Sequence, residues 1–233
     1  MRDKQADPAA FFDKKTATTF DDIWAPLAPL KQALHLLMRF VLAELPEQAR
    51  VLCVGAGTGA ELLYLAGEFP GWHFTAVEPA APMLEVCRAR VREAGLLERC
   101  ELHQGYLDSL GERAPFDAAT SLLVSQFLPD REQRVGFFSA MRARLRSGGL
   151  LVSADLSSDM ASAEYRALIE IWRRALRFCH VPEERLAHID EAYGKSVAVL
   201  PRAEVAALIE AAGFSAPTVF LQTGLIHAWF AEA

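Results

Sequence analysis

Beyond about residue 50, short apolar runs of strand length alternate with longer segments whose apolar residues recur at helical spacing. Strands are predicted at Arg50–Val54, His73–Glu78, Cys100–Gln104, Phe116–Leu123, Leu150–Asp155, Thr218–Gln222 and Leu225–Phe230. Helices are predicted between them, at about 59–68, 80–93, 131–146, 162–178 and 202–212. This alternation is typical of an α/β fold with a largely parallel sheet.

The segment before the first strand has a different pattern. Its second half predicts one amphipathic helix packed on the core, from apolar residues at helical spacing: Leu27, Leu30, Leu34, Leu37, Val41 and Leu45. Its first half mixes charges with Phe11, Phe12, Phe20 and Trp24, which suits either a lid over a ligand site or simple packing. Because neither a repeat nor a low-complexity linker occurs, we expect one domain over 1–233, with a helical cap at 1–48 and a helical insertion at 156–200.

The amino-acid composition and the net charge argue against several classes of protein. Hydrophobic residues make up 52% of the chain and charged residues 23%, which excludes a disordered protein. The net charge of −6 disfavours a sequence-independent nucleic-acid binder, because such affinity comes mostly from Lys and Arg on phosphates. Residues 211–231 carry no formal charge, but their Gly, Pro and polar residues suit two strands joined by a turn better than a membrane helix.

The cysteine spacing and the first twenty residues indicate in which cellular compartment the protein is expected. The four cysteines form no CxxC pair and no spacing typical of a zinc site, so we expect no metal and free thiols in a reducing compartment. The first twenty residues are polar and charged, unlike a signal peptide. We therefore expect a cytoplasmic protein without a membrane segment.

The strongest local signal is the segment VLCVGAGTGAE, in which an apolar strand runs through three alternate glycines into a helix. Gly55, Gly57 and Gly59 permit a tight turn and let the backbone contact a ligand where a Cβ would clash. The N–H groups that open the next helix favour polar or anionic ligand groups. Glu78 ends the second strand, where an acid can accept hydrogen bonds from both hydroxyls of a ribose. These features predict an adenosine-containing cofactor, and Gly55-x-Gly57-x-x-Ala60 leaves a dinucleotide as a second choice.

Further segments follow this turn in a set order: FTAVEPAAPML, ELHQGYL, FDAATSLLVSQFL, MRARLRSGGLLVSADL and a closing EAAGF with two strands. In this order they resemble the motif series of class I S-adenosylmethionine (SAM) methyltransferases, over about residues 45–233. The resemblance implies a Rossmann-like fold: a seven-stranded, mostly parallel sheet with helices on both faces and an antiparallel last strand. The aromatic N-terminal segment adds an N-terminal helical lid to this expected fold. The resemblance also implies SAM as the cofactor and S-adenosylhomocysteine as its product.

Motif correspondence implies cofactor contacts at the carboxyl ends of the strands. The glycine turn would lie against the methionine part of SAM, the acid after the second strand would hold the ribose, and the residues after that acid would flank the adenine. Residues after the third strand would pass the adenine edge, and the end of the fourth strand would border the sulfonium. The implied residues are Gly55, Ala56, Gly57, Gly59, Glu78, Pro79, Met83, Gly105, Tyr106, Leu107, Ser121 and Leu122.

Two positions depart from the family pattern. Cys53 stands where the family usually has an acid that helps orient the methionine ammonium, and Tyr106 stands where it commonly has an Asp that bonds the adenine amino group. A missing hydrogen bond of this kind costs on the order of 1 kcal/mol, so we expect SAM binding to be weak.

A general base is needed only if the acceptor must lose its proton early. The catalytic candidates are Asp155, at the end of the fifth strand, and His180 and His188, in a predicted loop over the same edge. Each has an ordinary alternative, a cap for Asp155 and a solvated loop residue for the histidines. The insertion at 156–200 would lie on the substrate side.

The function expected from these patterns is SAM-dependent methyl transfer to an unidentified small molecule. FFDKKTATTFDDI and SQFLPDREQR are most similar to the carboxy-SAM synthase subgroup linked to tRNA modification, but no arginine stands around Ala187–Tyr193, where that subgroup holds the extra carboxylate. A carboxy-SAM or tRNA-related enzyme, a non-catalytic SAM-binding module and a nicotinamide oxidoreductase remain as alternatives. The aromatic residues near the N-terminus could form a contact between two copies of the chain, so a homodimer is a further expectation.

Overall fold

Seven strands form one sheet in the computed structural model, which describes residues 8–233. They are β1 (Arg50–Val54), β2 (His73–Glu78), β3 (Cys100–Gln104), β4 (Phe116–Leu122), β5 (Leu145–Leu156), β6 (Thr218–Thr223) and β7 (Ile226–Glu232). The strand order is β3-β2-β1-β4-β5-β7-β6. Strands β1 to β5 pair in parallel, and β7 runs antiparallel to both β5 and β6. The predicted Rossmann-like sheet with an antiparallel last strand is confirmed.

Helices cover both faces of the sheet. They are α1 (Lys14–Trp24), α2 (Ala28–Val41), α3 (Ala60–Glu68), α4 (Ala81–Glu93), α5 (Arg131–Arg142), α6 (Ala163–Phe178), α7 (Glu183–Ala192) and α8 (Arg202–Ala211). Because side chains alternate along a strand, Val51 and Cys53 pack against α2, α3 and α4, whereas Leu52 and Val54 pack against α5 and α8. A third apolar cluster joins α2, α6 and α7 to the ends of β5 and β7.

Most predicted boundaries lie within two residues of the observed ones, but the end of α5 and the start of β5 differ by more. Helix α5 ends at Arg142, and β5 begins at Leu145 rather than at Leu150. Leu145 pairs with Phe116 across a register shift, and the Gly148–Gly149 pair lies inside the strand instead of separating it from the helix. A Cβ on Gly149 would stand 2.9 Å from a backbone oxygen, so glycine permits this irregularity. Helix α7 occupies what was predicted to be a loop.

The N-terminal segment folds back along the sheet. Asp13 caps α1 by accepting the N–H of Thr16 at 2.7 Å. Helix α1 packs on α4, and Asp21 forms ion pairs with Arg90 at 2.8 Å and with Lys31 at 3.4 Å. Helix α1 therefore lies beside the chain that follows the carboxyl end of β2.

The uncharged stretch 211–231 contains the end of α8 followed by β6 and β7, as predicted. No helix within residues 8–233 is long and apolar enough to cross a membrane. All four cysteines are buried and unpaired. In this described part of the chain, no group of three or more His, Cys, Asp or Glu residues is arranged to hold a metal ion.

Candidate functional site

The glycine turn connects the carboxyl end of β1 to α3. Gly55, Gly57 and Gly59 all have positive φ angles, of +72°, +55° and +81°. The backbone N–H groups of Gly55 and Ala56 donate to the carbonyl of Val77 at 2.8 and 3.2 Å, which ties the turn to β2. Gly59 precedes the first residue of α3, and no side chain of the described residues caps that helix. Apart from the N–H of Glu61, which acts on its own carboxyl, the first N–H groups of α3 are thus available to a polar ligand.

The three glycines have different neighbours. A Cβ on Gly55 would come within 2.5 Å of the Val124 side chain, and one on Gly59 within 2.6 Å of the Cys87 sulfur. A Cβ on Gly57 would meet just one atom within 4 Å, the end of the Met83 side chain at 3.6 Å. Gly55 and Gly59 are therefore required by protein packing as well as by φ, whereas a Cβ on Gly57 would make just one ordinary contact, so that Gly57 is required by φ alone.

Glu78 fixes the end of β2 to the glycine turn. Its Oε2 accepts the N–H of Gly57 at 2.9 Å, and its Oε1 accepts the N–H of Ala80 at 2.8 Å. The side chain is buried, and burial raises the pKa of the carboxyl, while the two N–H donors oppose that shift. The carbonyl of Glu78 accepts the N–H of Gly105 at 3.1 Å, so one residue joins the ends of three neighbouring strands.

The predicted adenine-side residues lie after β2 and β3. Pro79 is half-buried, and Met83 is buried in a small cluster with Ala17 of α1. Tyr106 is 48% exposed, whereas its neighbour Leu107 is buried in the core. The structure thus brings an exposed aromatic ring and a buried thioether to this end of the sheet.

The end of β4 is largely enclosed. Ser121 is fully buried, and its Oγ has no hydrogen-bond partner among the described residues. Leu122 is half-buried between two apolar clusters. Leu123 adopts a left-handed conformation with φ of +60°, and its N–H donates to the carbonyl of Ala154 at 2.6 Å. This turn directs the chain from β4 over the edge of the sheet.

The three catalytic candidates occupy different environments. Asp155 is fully buried at the end of β5, where it accepts the Ser125 hydroxyl at 2.8 Å and the Gln126 N–H at 2.9 Å and pairs with Arg134 at 3.3 Å. His180 is exposed just beyond α6, with φ of +56°. His188 is exposed on α7. Asp155 is thus part of an internal network, and both histidines face solvent.

Glu61 is a buried acid that the sequence-based prediction did not single out. It lies in the first turn of α3 and is 6% exposed, and its Oε1 has no hydrogen-bond partner among residues 8–233. Burial raises the pKa of Glu61 to about 7. The available signal was an acid in a turn of helix whose neighbours Leu62 and Leu65 are apolar and buried.

An open groove of about 570 Å³ lies at the opposite, amino-terminal edge of the sheet. Its lining includes Arg50, His73 and Arg99. Arg99 donates to backbone carbonyls of Phe69 and Trp72, so its charge already serves the fold. Ligand sites of open α/β sheets lie at the carboxyl ends of the strands, and the glycine turn, Glu78 and Tyr106 all lie there.

Comparison with known proteins agrees with this arrangement. Residues 51–149 match a protein family described as a methyltransferase domain. A malonyl-[acyl-carrier protein] O-methyltransferase of Magnetococcus marinus is 29% identical over 125 residues, which cover 54% of this chain and 44% of that protein. The chain therefore spans less than half the length of this curated relative.

Solved structures share the fold at low sequence identity. An O-methyltransferase family protein from Burkholderia thailandensis has a TM-score of 0.67 at 13% identity, with 94% of this chain and 60% of that chain covered. An O-methyltransferase family 2 protein from Planctomyces limnophilus, in complex with apigenin, has a TM-score of 0.62 at 16% identity, with 100% and 63% covered. The family match identifies residues 51–149 as similar to a methyltransferase domain, and the solved structures show that the chain shares its fold with O-methyltransferase family proteins.

Proposed function

We propose that the protein transfers the methyl group of SAM to a small-molecule acceptor and releases S-adenosylhomocysteine. The observation that carries this proposal is the position of the Glu78 carboxylate, which the N–H of Gly57 holds against the glycine turn and the N–H of Ala80 holds at the end of β2. An acid and an open turn, fixed to each other at the carboxyl ends of adjacent strands, suit the ribose and the amino-acid part of one nucleoside ligand.

The residues present fit this cofactor. Each oxygen of Glu78 accepts one N–H and retains acceptor capacity, so the carboxylate can also accept from two ribose hydroxyls. Gly57 leaves room above the turn, and the uncapped start of α3 offers N–H donors. The exposed ring of Tyr106 offers a stacking surface for adenine.

The remaining assignments follow the order of the strands. We assign the glycine turn to the methionine part of SAM, the end of β2 to the ribose, the chain after β2 and β3 to the adenine, and the end of β4 to the reacting methyl group. The residues proposed for these contacts are Gly55, Ala56, Gly57, Gly59, Glu78, Pro79, Met83, Gly105, Tyr106, Leu107, Ser121 and Leu122.

SAM supplies a methyl group on a positively charged sulfur; the acceptor–methyl bond forms as the sulfur–methyl bond breaks, and that electron pair stays on sulfur. The protein's part is to hold donor and acceptor in line, which can supply most of the rate. We assign no general base. Asp155 already binds Ser125, Gln126 and Arg134, and we propose that it positions the loop after β4.

We propose that the N-terminal cap, within 1–48, acts as a lid. The Phe12 ring lies 6.2 Å from Phe20 of α1 and 6.0 Å from Phe127, which follows β4. Ala17 of α1 packs with Met83 on the other side. These contacts support a strap that spans the mouth of the site from the β2 side to the β4 side.

We propose a small molecule as the acceptor because the net charge of −6 disfavours nucleic acid. The apigenin bound by the Planctomyces limnophilus protein is consistent with this class. The malonyl-[acyl-carrier protein] named for the Magnetococcus marinus relative makes a carrier-bound acceptor the first alternative to test. The insertion at 156–200, which contains α6 and α7, would line the acceptor side.

We also propose that residues 1–233 form one domain. We propose further that two copies form a homodimer and that the protein acts in the cytoplasm. The exposed rings of Phe11 and Phe40, with Leu36 nearby on α2, support an apolar contact between copies. Four buried, unpaired cysteines support a reducing compartment.

The test of the proposed function combines binding with turnover. A ligand at 100 times its Kd stabilises a fold by about 2.7 kcal/mol, which raises the Tm of a domain of this size by several degrees. We expect SAM and S-adenosylhomocysteine to raise the Tm and NADH to leave it unchanged. S-adenosylhomocysteine should then accumulate with a panel of small hydroxyl, amine and carbon acceptors. A shift with NADH alone would overturn the proposal.

A further inference from the structure

The Glu61 carboxyl is a buried acid that the fold leaves incompletely satisfied. It is 6% exposed, and Oε1 has no hydrogen-bond partner within residues 8–233. Its own backbone N–H, in the first turn of α3, lies close enough to lower its pKa against the larger effect of burial. A buried carboxylate normally has a cationic or N–H partner, and one that lacks it is costly.

The groups that face Glu61 from the packed elements do not neutralise it. From β1 and α4 it faces the thiols of Cys53 and Cys87, and burial holds both thiols neutral by raising the pKa of each. From β2 it faces the carboxyl of Glu78, which raises the pKa of Glu61 further. From α2, Lys31 acts in the opposite direction, but its side chain is 45% exposed and pairs with Asp21. Among the residues that the structure describes, none of these groups is a buried cation.

A second feature at the same place suits an anion. Helix α3 begins at Ala60 without a side-chain cap, so its first N–H groups and its dipole favour a negative group beside Glu61. Oε1 of Glu61, which has no hydrogen-bond partner among the described residues, therefore lies next to the N–H donors at the start of α3. A ligand part with an ammonium and a carboxylate on the same carbon matches both.

We propose that the Glu61 carboxylate binds the α-ammonium of the methionine part of SAM while the α-carboxylate lies at the N-terminus of α3. This inference rests on the proposed function. Cys53, at the end of β1, cannot hold the ammonium because its thiol is neutral, and Glu61 supplies the negative charge from the facing helix. Glu61 is thus a binding residue that selects a nucleoside with an intact amino-acid tail.

The test compares two ligands that differ in that tail. S-adenosylhomocysteine has the amino acid, whereas 5′-methylthioadenosine has the adenosine and the thioether without it. Loss of a charge-assisted hydrogen bond in a buried site should weaken S-adenosylhomocysteine binding to Glu61→Gln by on the order of 10- to 100-fold. Binding of 5′-methylthioadenosine should change by less than about threefold, because no contact to adenosine is lost.

Calorimetric titration of both ligands into wild type and variant gives four Kd values. The matched control is Glu68→Gln, which removes a charge from the same helix at a surface ion pair with Arg39 and should leave all affinities unchanged. Equal weakening of both ligands, or no change for either, would overturn the role of Glu61. Failure of wild type to bind either ligand would instead overturn the proposed function.

The pH dependence of wild-type binding gives a readout that does not depend on the variant's folding. With a pKa of about 7, Glu61 must lose its proton before it can bind the ammonium. The affinity for S-adenosylhomocysteine relative to 5′-methylthioadenosine should therefore fall below pH 7, by up to about tenfold per pH unit. Parallel pH profiles for the two ligands would contradict the proposal.

Discussion

Replacement of Arg134 by methionine tests the internal network behind the site. The guanidinium is 1% exposed, its Nε donates to the Ser125 hydroxyl at 2.8 Å, and its Nη2 lies 3.3 Å from Oδ2 of Asp155. Asp155 is fully buried and also accepts the N–H of Gln126. The Arg134→Met variant would leave the Asp155 charge buried without its counter-ion.

The loss of unfolding free energy in Arg134→Met can be estimated from the structure. Removal of one partner from a buried ion pair costs about 3 to 5 kcal/mol. Neither Nη1 nor Nη2 of Arg134 has a hydrogen-bond partner among the described residues, so the ion pair is incompletely satisfied, and we expect the lower end, about 3 kcal/mol. For a chain of this size, that corresponds to a fall in Tm of roughly 6 to 12 °C.

Urea and thermal unfolding of four proteins measure this effect: wild type, Arg134→Met, Arg134→Met with Asp155→Leu, and Arg146→Met. Removal of both charges should recover much of the loss, because no unpaired ion remains. Arg146 pairs with Asp117 at the surface, so its replacement should cost less than about 1 kcal/mol. If Arg134→Met cost no more than Arg146→Met, the buried pair would not hold the loop after β4.

Two further predictions concern stability. Burial, with a smaller effect of Lys31, lowers the pKa of His35 to about 4 from the ordinary 6.5, so the unfolded chain takes up the proton first and stability should fall by about 3 kcal/mol between pH 6.5 and 4. In urea unfolding across that range, His35→Gln should lose this part of the pH dependence, whereas His73→Gln, at an exposed position, should retain it; equal slopes in both would contradict the burial argument. Gly59→Ala should destabilise the protein by about 1 to 3 kcal/mol, because its φ is +81° and the new Cβ would stand 2.6 Å from the Cys87 sulfur. Gly67→Ala, with nothing within 4 Å of its Cβ position, is the control, and equal unfolding midpoints for the two variants would refute this reasoning.

The sheet was predictable because its strands are short apolar runs between glycine turns and amphipathic helices. The predicted bounds of the first three strands match β1, β2 and β3. The start of β5 was not predictable from the sequence, because a Gly148–Gly149 pair is typical of the end of a helix. In the folded chain Leu145 pairs with Phe116, and residues 145–149 therefore belong to the sheet. Helix α7 was missed because it lies between Pro182 and Gly194, residues that also mark loops.

The site divides in the same way. The positions of the glycine turn and of Glu78 at the carboxyl ends of β1 and β2 were predictable, because alternate glycines and an acid at the end of a strand form a local sequence pattern. The partners of Asp155 were not, since Ser125 and Arg134 come from another loop and helix and meet it only in the folded chain. That Oε1 of Glu61 has no hydrogen-bond partner in the described part of the chain is likewise a property of tertiary packing.

The central claim is that SAM binds across the glycine turn with its ribose on Glu78. Its most direct test is calorimetric titration of S-adenosylhomocysteine into wild type and Glu78→Ala, with Glu85→Ala, an exposed position on α4, as the control. Loss of two charge-assisted hydrogen bonds should weaken binding by roughly 1 to 3 kcal/mol in Glu78→Ala and leave the control unchanged. Unchanged affinity in a folded Glu78→Ala variant would contradict this placement of the cofactor.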